Sequence, residues 1–236
     1  MTLAPDDAAT APPRPAATII LVRRLDAGPS VLMGQRGDAA AFMPSKYVFP
    51  GGGVDQGDAS VALARGLPPG CLDRLALHDT SGLGAALATA ALRELWEETG
   101  LILGDRAPWP APPPDDWQGF AALGFRPSAG ALRFFFRAIT PPGRSRRFDA
   151  RFFLADAADL AADPDDFSRA SGELSHLHWV PLAQARSLNL PFITEVVLAE
   201  LGALITGLPQ GAPLPAPASV PFFDNSGPVP MFRRLF

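Results

Sequence analysis

Two hydrophobic rhythms alternate along the chain. Residues 17–23 (A-T-I-I-L-V-R) are an unbroken apolar, β-branched run and read as a strand. Turn residues follow at 26–30 (D-A-G-P-S), and residues 31–36 read as the partner strand of a hairpin. A short strand at 46–49 stops at Pro50-Gly51-Gly52-Gly53, where the backbone must turn sharply. Further strands are expected at 132–139 and 151–154, separated by the turn Pro141-Pro142-Gly143, and at 177–180. The other rhythm is helical. Residues 85–99 are dominated by Ala, Leu, Arg and Glu, with Leu87, Ala91, Leu95 and Trp96 on one stripe and Gly100 just past the end. A second helix is expected at 191–204. Interleaved strands and helices imply a layered α/β domain.

The remaining stretches lack a period. Residues 1–15 are rich in Pro, Ala and Asp and read as a disordered start. Residues 59–84 contain Pro68-Pro69-Gly70 and read as an insertion with one short helix, folded out from the domain. Residues 107–116 read as a Pro-rich loop, and 207–236 as a Pro-rich tail on the surface. A single domain is therefore expected over 16–206. No internal repeat is present.

Composition narrows the function. The chain has 236 residues, 47% of them hydrophobic, enough for one well-buried core. A net charge of -4 argues against a dedicated nucleic-acid binder and leaves room for a local basic pocket. One cysteine, Cys71, cannot form an internal disulfide and reads as a small hydrophobe in a loop. The acidic, Pro-rich beginning does not read as a signal peptide, and no run of about 20 apolar residues suggests a membrane span. The expectation is a cytoplasmic monomer or homodimer that engages neither membrane nor nucleic acid.

The chemistry concentrates on the first helix. Offsets of three and four bring Glu94, Glu97 and Glu98 onto one face, with Arg93 beside them. Such carboxylates either form a solvated face paired to arginines or converge on a hard cation such as Mg²⁺ or Mn²⁺. The glycine turn at 51–53 lies upstream, where a backbone carbonyl could approach the same ion. His176 and His178 share a strand-like spacing and read as structural rather than as a metal pair. Arg144, Arg146, Arg147 and Arg151 form a basic cluster, either a solvated turn or a phosphate site.

Residues 93–101, R-E-L-W-E-E-T-G-L, together with the upstream glycines, resemble the Nudix box, whose second half they match throughout. The first half departs from the pattern. After five intervening residues Gly52 is followed by Asp58 in place of Glu, and 34 residues separate Asp58 from Arg93 where the family has seven. This looks like the subgroup with an insertion inside the box, which includes peroxisomal-type coenzyme A diphosphatases. F-M-P-S-K-Y-V-F-P-G-G-G-V-D at 42–55 and R-R-F-D-A-R-F-F-L-A at 146–155 agree with it.

The resemblance implies a Nudix-type α/β/α sandwich with a mixed central sheet. It implies Glu94 and Glu98 as principal ligands of Mg²⁺ or Mn²⁺, with Glu97 close by, the Gly52 carbonyl as a further ligand and Asp58 standing in for the missing glutamate. Arg93 would orient a helix glutamate. Glu173, before a late strand, would be a further ligand or general base, the alternative being simple solvation. Arg36, Arg147 and Arg151 are candidates for substrate phosphates. The implied activity is hydrolysis of a diphosphate linkage in a small nucleotide-like substrate, with coenzyme A or acyl-coenzyme A first and ADP-ribose or NADH as alternatives. The coenzyme A signature asks for a second arginine where Ala41 stands. A non-catalytic nucleotide-binding module is the other implied class.

Overall fold

A long first strand organises the molecule. The computed structural model describes residues 12–38, 40, 42–77, 82–209, 211–227 and 229–236; of the expected disordered start, residues 1–11 lie outside these. Strand β1 (Arg14–Leu25) begins three residues before the apolar run. Its inner residues alternate between two cores. Ala17, Ile19 and Leu21 enter one cluster, and Ile20 and Val22 enter the other. Burial on both faces explains why this stretch is continuously apolar rather than alternating.

Around β1 stand β2 (Gly28–Arg36), β3 (Tyr47–Val48), β4 (Gly51–Gly53), β7 (Arg133–Ile139), β8 (Phe148–Asp156), β9 (Leu174–Pro181), β10 (Val220–Asp224) and β11 (Met231–Leu235). They form a nine-stranded sheet in the order β11-β10-β7-β8-β1-β2-β3, with β4 also on β1 and β9 on β2. The sheet is mixed: β8 runs parallel to β1 and β10 parallel to β7, and the other pairs are antiparallel. A separate two-stranded sheet, β5 (Gly104–Arg106) with β6 (Phe125–Pro127), carries too few residues to show a sequence rhythm.

Helices cover both faces. On one lie α1 (Pro69–Ala76) and α2 (Gly84–Thr99), whose Cys71, Leu75, Leu87, Ala91 and Leu95 pack in the first cluster. A short α3 (Gln118–Ala122) adds Phe120 to it. On the other, α5 (Phe192–Ile205) buries Val197, Leu198, Leu201 and Ile205, and α4 (Leu182–Ala185) adds Ala185. The result is the expected α/β/α sandwich. Among the described residues no helix is long and apolar enough to cross a membrane.

Two expectations change. The insertion does not fold out. Leu67, Cys71 and Leu75 join the main core, and the Cys71 sulfur accepts the Phe134 N–H at 3.4 Å. Cys71 is thus a helix residue in the core rather than a loop residue. The tail is not merely a surface wrap either. Val220, Phe222 and Leu235 enter the core, and β10 and β11 extend the sheet beyond β7. The many prolines between 209 and 217 mask this late strand pair in the sequence.

Candidate active site

β1 changes partners along its length, and that change builds the site. Its C-terminal half pairs with β2, while Ala16, Ala17 and Thr18 pair with Gly53, Gly52 and Gly51 of β4. The glycine turn is thereby held against the end of α2. The approach is too close for side chains. A Cβ built on Gly52 would lie 2.5 Å from the Glu94 carboxyl carbon, and one on Gly51 would lie 2.7 Å from the Thr18 Cα. The helix ends in the left-handed Gly100 at φ 74°, where a Cβ would meet Arg169 at 2.7 Å.

Arg93 ties the parts together from a buried position. Its Nε donates to Asp58 Oδ1 at 3.0 Å, and Nη2 donates to Asp58 Oδ2 at 3.2 Å and to the Gly53 carbonyl at 2.9 Å. Its Nη1 donates to Glu94 Oε1 at 2.9 Å and Glu97 Oε2 at 3.0 Å. One guanidinium fork thus joins the turn, the segment after it and the helix. Burial opposes the charge, but Asp58 and the pull of Glu94 and Glu97 outweigh it and hold Arg93 above the ordinary arginine value.

Asp58 is therefore corrected. Both of its oxygens receive Arg93 and Oδ2 also accepts the Asp55 N–H, so it anchors the arginine instead of offering oxygens to a cation. It stands where the box pattern places its first acid, across the whole insertion from Arg93.

The carboxylates are strained electrostatically. Burial pushes Glu94 up to about 7, with Arg93 opposing and Glu97 adding. Burial, then the Glu94 charge, push Glu98 up to about 8, against the Gly51 N–H and Arg36. Glu98 Oε2 accepts that N–H at 2.9 Å. Glu97 is raised too, by burial, with Arg93 opposing and Asp116 adding. Among the described residues no three acidic, His or Cys side chains close around one point as a ready cage. The expected convergence is replaced by division: Glu94 and Glu97 lean on Arg93, and Glu98 turns to Gly51. The donor set nevertheless fits a hard divalent cation. Two carboxylates whose charge is penalised by burial face a backbone cradle that a Cβ at Gly52 would fill.

The remaining candidates divide. The Glu173 charge acts on Glu94, Glu97 and Glu98, and that of Arg36 acts on Glu98. Glu173 is exposed on a loop fixed to the helix by the Ser171 N–H, which donates to the Glu97 carbonyl at 2.9 Å. The Arg36 Nε is buried with no hydrogen-bond partner among the described residues. Arg151 is corrected. It is buried and ion-paired to Asp149 at 2.8 Å, which also holds Arg137, so it has no surface to offer a ligand. Arg147 is partly buried, and its guanidinium donates to the Thr140 and Asn225 carbonyls. His178 Nδ1 lies 2.7 Å from the His176 carbonyl, a local contact and not a shared ligand geometry. Asp116, in the short turn Asp115–Trp117, and the Gly51 N–H were not foreseen. Their roles exist only once the chain is folded.

No protein-family model matches the chain. It is 32% identical over 179 residues to a Caenorhabditis elegans protein assigned as a nudix hydrolase, covering 71% of this chain and 51% of that protein. It is 28% identical over 199 residues to an acyl-coenzyme A diphosphatase of Gallus gallus, covering 61% and 52%. The chain spans about half the length of the curated relatives it matches. Among solved structures it resembles a NUDIX hydrolase from Alicyclobacillus acidocaldarius, at 29% identity and TM-score 0.61, covering 82% of this chain and 93% of that one.

Proposed function

The chain belongs to the Nudix hydrolase family, and from that premise we propose that it is a divalent-metal-dependent hydrolase of a diphosphate linkage in a nucleoside-diphosphate derivative. The observation that carries the reading is the apposition of the Gly51–Gly53 backbone and the Glu94 and Glu98 carboxylates, fixed by Arg93. Mg²⁺ or Mn²⁺ held by Glu94, Glu97, Glu98 and the Gly52 carbonyl would neutralise phosphate charge and lower the pKa of a water molecule.

The chain's own residues do the rest. Arg93 fixes the orientation of Glu94 and Glu97 by donating to one oxygen of each, which leaves the other oxygen for a cation. Glu173 stands on the loop above them as the base that takes the proton from the attacking water. Arg36, with a donor still unused, holds a phosphate of the substrate. Coenzyme A or acyl-coenzyme A is the leading substrate. The Gallus gallus relative and the insertion between the two halves of the box support it.

The test is product release from coenzyme A, acetyl-coenzyme A, ADP-ribose and NADH, each with and without Mn²⁺ or Mg²⁺. The expected result is cation-dependent cleavage of at least one, with coenzyme A compounds fastest. Lack of turnover across the panel would remove the catalytic reading and leave a nucleotide-binding module.

A further inference from the structure

The loop that leads to Glu173 is knitted to itself and pinned to the sheet. Asp163 Oδ1 accepts the Asp165 N–H at 2.9 Å, and Asp166 Oδ1 accepts the Ser168 N–H at 3.0 Å. The Ala170 N–H donates to the Phe167 carbonyl at 3.1 Å, and Phe167 packs against the first core cluster. Arg23 holds Asp165 at 2.7 Å and lies over the Trp179 ring at 4.5 Å. Trp179 Nε1 in turn donates to the Pro164 carbonyl at 3.0 Å. Residues 163–170 are therefore one packed unit, and whatever moves one part of it moves the rest.

The end of this unit meets the end of α2. The Ser171 N–H donates to the Glu97 carbonyl at 2.9 Å, and Ser171 Oγ accepts the Glu173 N–H at a long 3.4 Å. One serine thus touches both the helix that bears the box carboxylates and the backbone of Glu173. On the other side Leu174 is buried and pairs with Arg36 in the β2–β9 ladder. Only Gly172 and Glu173 lie between these two anchors. The placement of Glu173 accordingly depends on how closely the loop seats on the helix end.

Gly100 is that seat. A Cβ built on it would lie 2.7 Å from the Arg169 Cβ, 3.1 Å from the Arg169 carbonyl carbon and 3.2 Å from its Cα. A left-handed residue after a helix is commonly Gly and sometimes Asn, because the cap asks only for the backbone angle. Here the space is denied as well. The crowding atoms are the Arg169 backbone and its Cβ, which cannot swing aside as the far end of a flexible side chain would. A side chain at position 100 lifts Arg169 off the helix, and Ser171 and Glu173 follow.

We propose that Gly100 and Ser171 are positioning residues for Glu173, seating its loop on the end of α2 so that its carboxylate stands over the metal helix. This rests on the reading of Glu173 as the base. The experiment uses the full chain with Gly100→Asn, Glu173→Gln and the two combined. Asparagine accepts the left-handed cap but adds a Cβ, so a role in capping alone predicts behaviour close to wild type. Hydrogen exchange of the amides over 163–173 reads the seat without reference to turnover, and their protection is expected to fall in Gly100→Asn. On the fastest substrate of the panel, kcat is expected to fall about 100-fold with KM little changed, the cost of misplacing a catalytic group by about 1 Å. In the Glu173→Gln background the same substitution should remove little more, because the group it positions is gone. Protection like that of wild type in Gly100→Asn would overturn the proposal, as would an equal fold-loss of kcat with and without Glu173. Should Gly100→Asn melt too low to assay, Ser171→Ala alters only an exposed side chain and carries the same comparison, with a smaller loss that again must vanish without Glu173. Full turnover in Glu173→Gln sinks only the base reading, and the exchange result then decides whether Gly100 seats the loop.

Discussion

The two long helices flank the same sheet yet bury very different residues. α5 sets Val197, Leu198, Leu201 and Ile205 against one face, with Thr194 its one buried polar residue. α2 packs a similar apolar stripe, but its last turns also bury Arg93, Glu98 and Thr99. The first half of α2 and the whole of α5 bury no charged side chain, Thr89 and Thr194 being their buried polar residues. The C-terminal half of α2 departs from this at the place where the glycine turn comes closest. A buried carboxylate without a cation is costly, and the structure keeps two of them near one another with pKa values lifted toward neutrality. The contrast teaches that α5 stabilises the sandwich, whereas the end of α2 gives up stability to hold charge in readiness.

The sharpest way to separate these roles is Glu98→Gln. The amide removes a buried charge while keeping an oxygen for the Gly51 N–H. Turnover should fall by more than the roughly 10–100-fold typical of outer partners of a metal site, while thermal stability without metal stays level or rises. Full activity in this variant would erase the contrast. Next comes Asp58→Ala, which leaves Arg93 buried without its main partner. Denaturant unfolding should show a loss of about 3–5 kcal/mol, and turnover should drop as Glu94 and Glu97 lose their orienting arginine. An unperturbed unfolding midpoint would show that Arg93 is held by the other contacts alone. Leu201→Ala is the counterpart on α5. It should cost about 2–5 kcal/mol and leave kcat unchanged in the folded fraction. A matching fall in kcat would mean the two faces are coupled.

Much of this arrangement was written locally in the chain. The unbroken apolar run of β1, the 3.6-residue stripe of α2 and the stop at Gly100 all depend on neighbours in sequence, and each formed within a few residues of its expected bounds. What escaped depends on distant partners. β10 and β11 exist because Val220 and Phe222 find a core and an open edge at β7. The insertion packs inward because Leu67, Cys71 and Leu75 find Leu132 and Phe134. The same holds at the site. Glu94, Glu97 and Glu98 were legible from helical spacing, and Gly52 from the turn it must make. The pairing of Asp58 with Arg93 spans the insertion, and the burial of Arg151 depends on strand neighbours, so neither could be read from spacing alone.

The central claim is that the buried carboxylates at the end of α2 await a cation, and linkage tests it directly. Glu94 and Glu98 are raised from 4.5 to about 7 and about 8, so the folded protein keeps protons that the unfolded chain has released. For carboxylates shifted in this direction, metal-free stability is lost as pH rises from about 4.5 through 8. A bound divalent cation offsets that loss. The decisive measurement is the melting temperature of wild type and Glu98→Gln at pH 5 and pH 8, with and without Mn²⁺. The account predicts that metal-free wild type melts lower at pH 8, that Mn²⁺ raises it there much more than at pH 5, and that Glu98→Gln shows a smaller pH dependence and little response to Mn²⁺. Equal Mn²⁺ shifts in the two proteins, or none in wild type at pH 8, would contradict it.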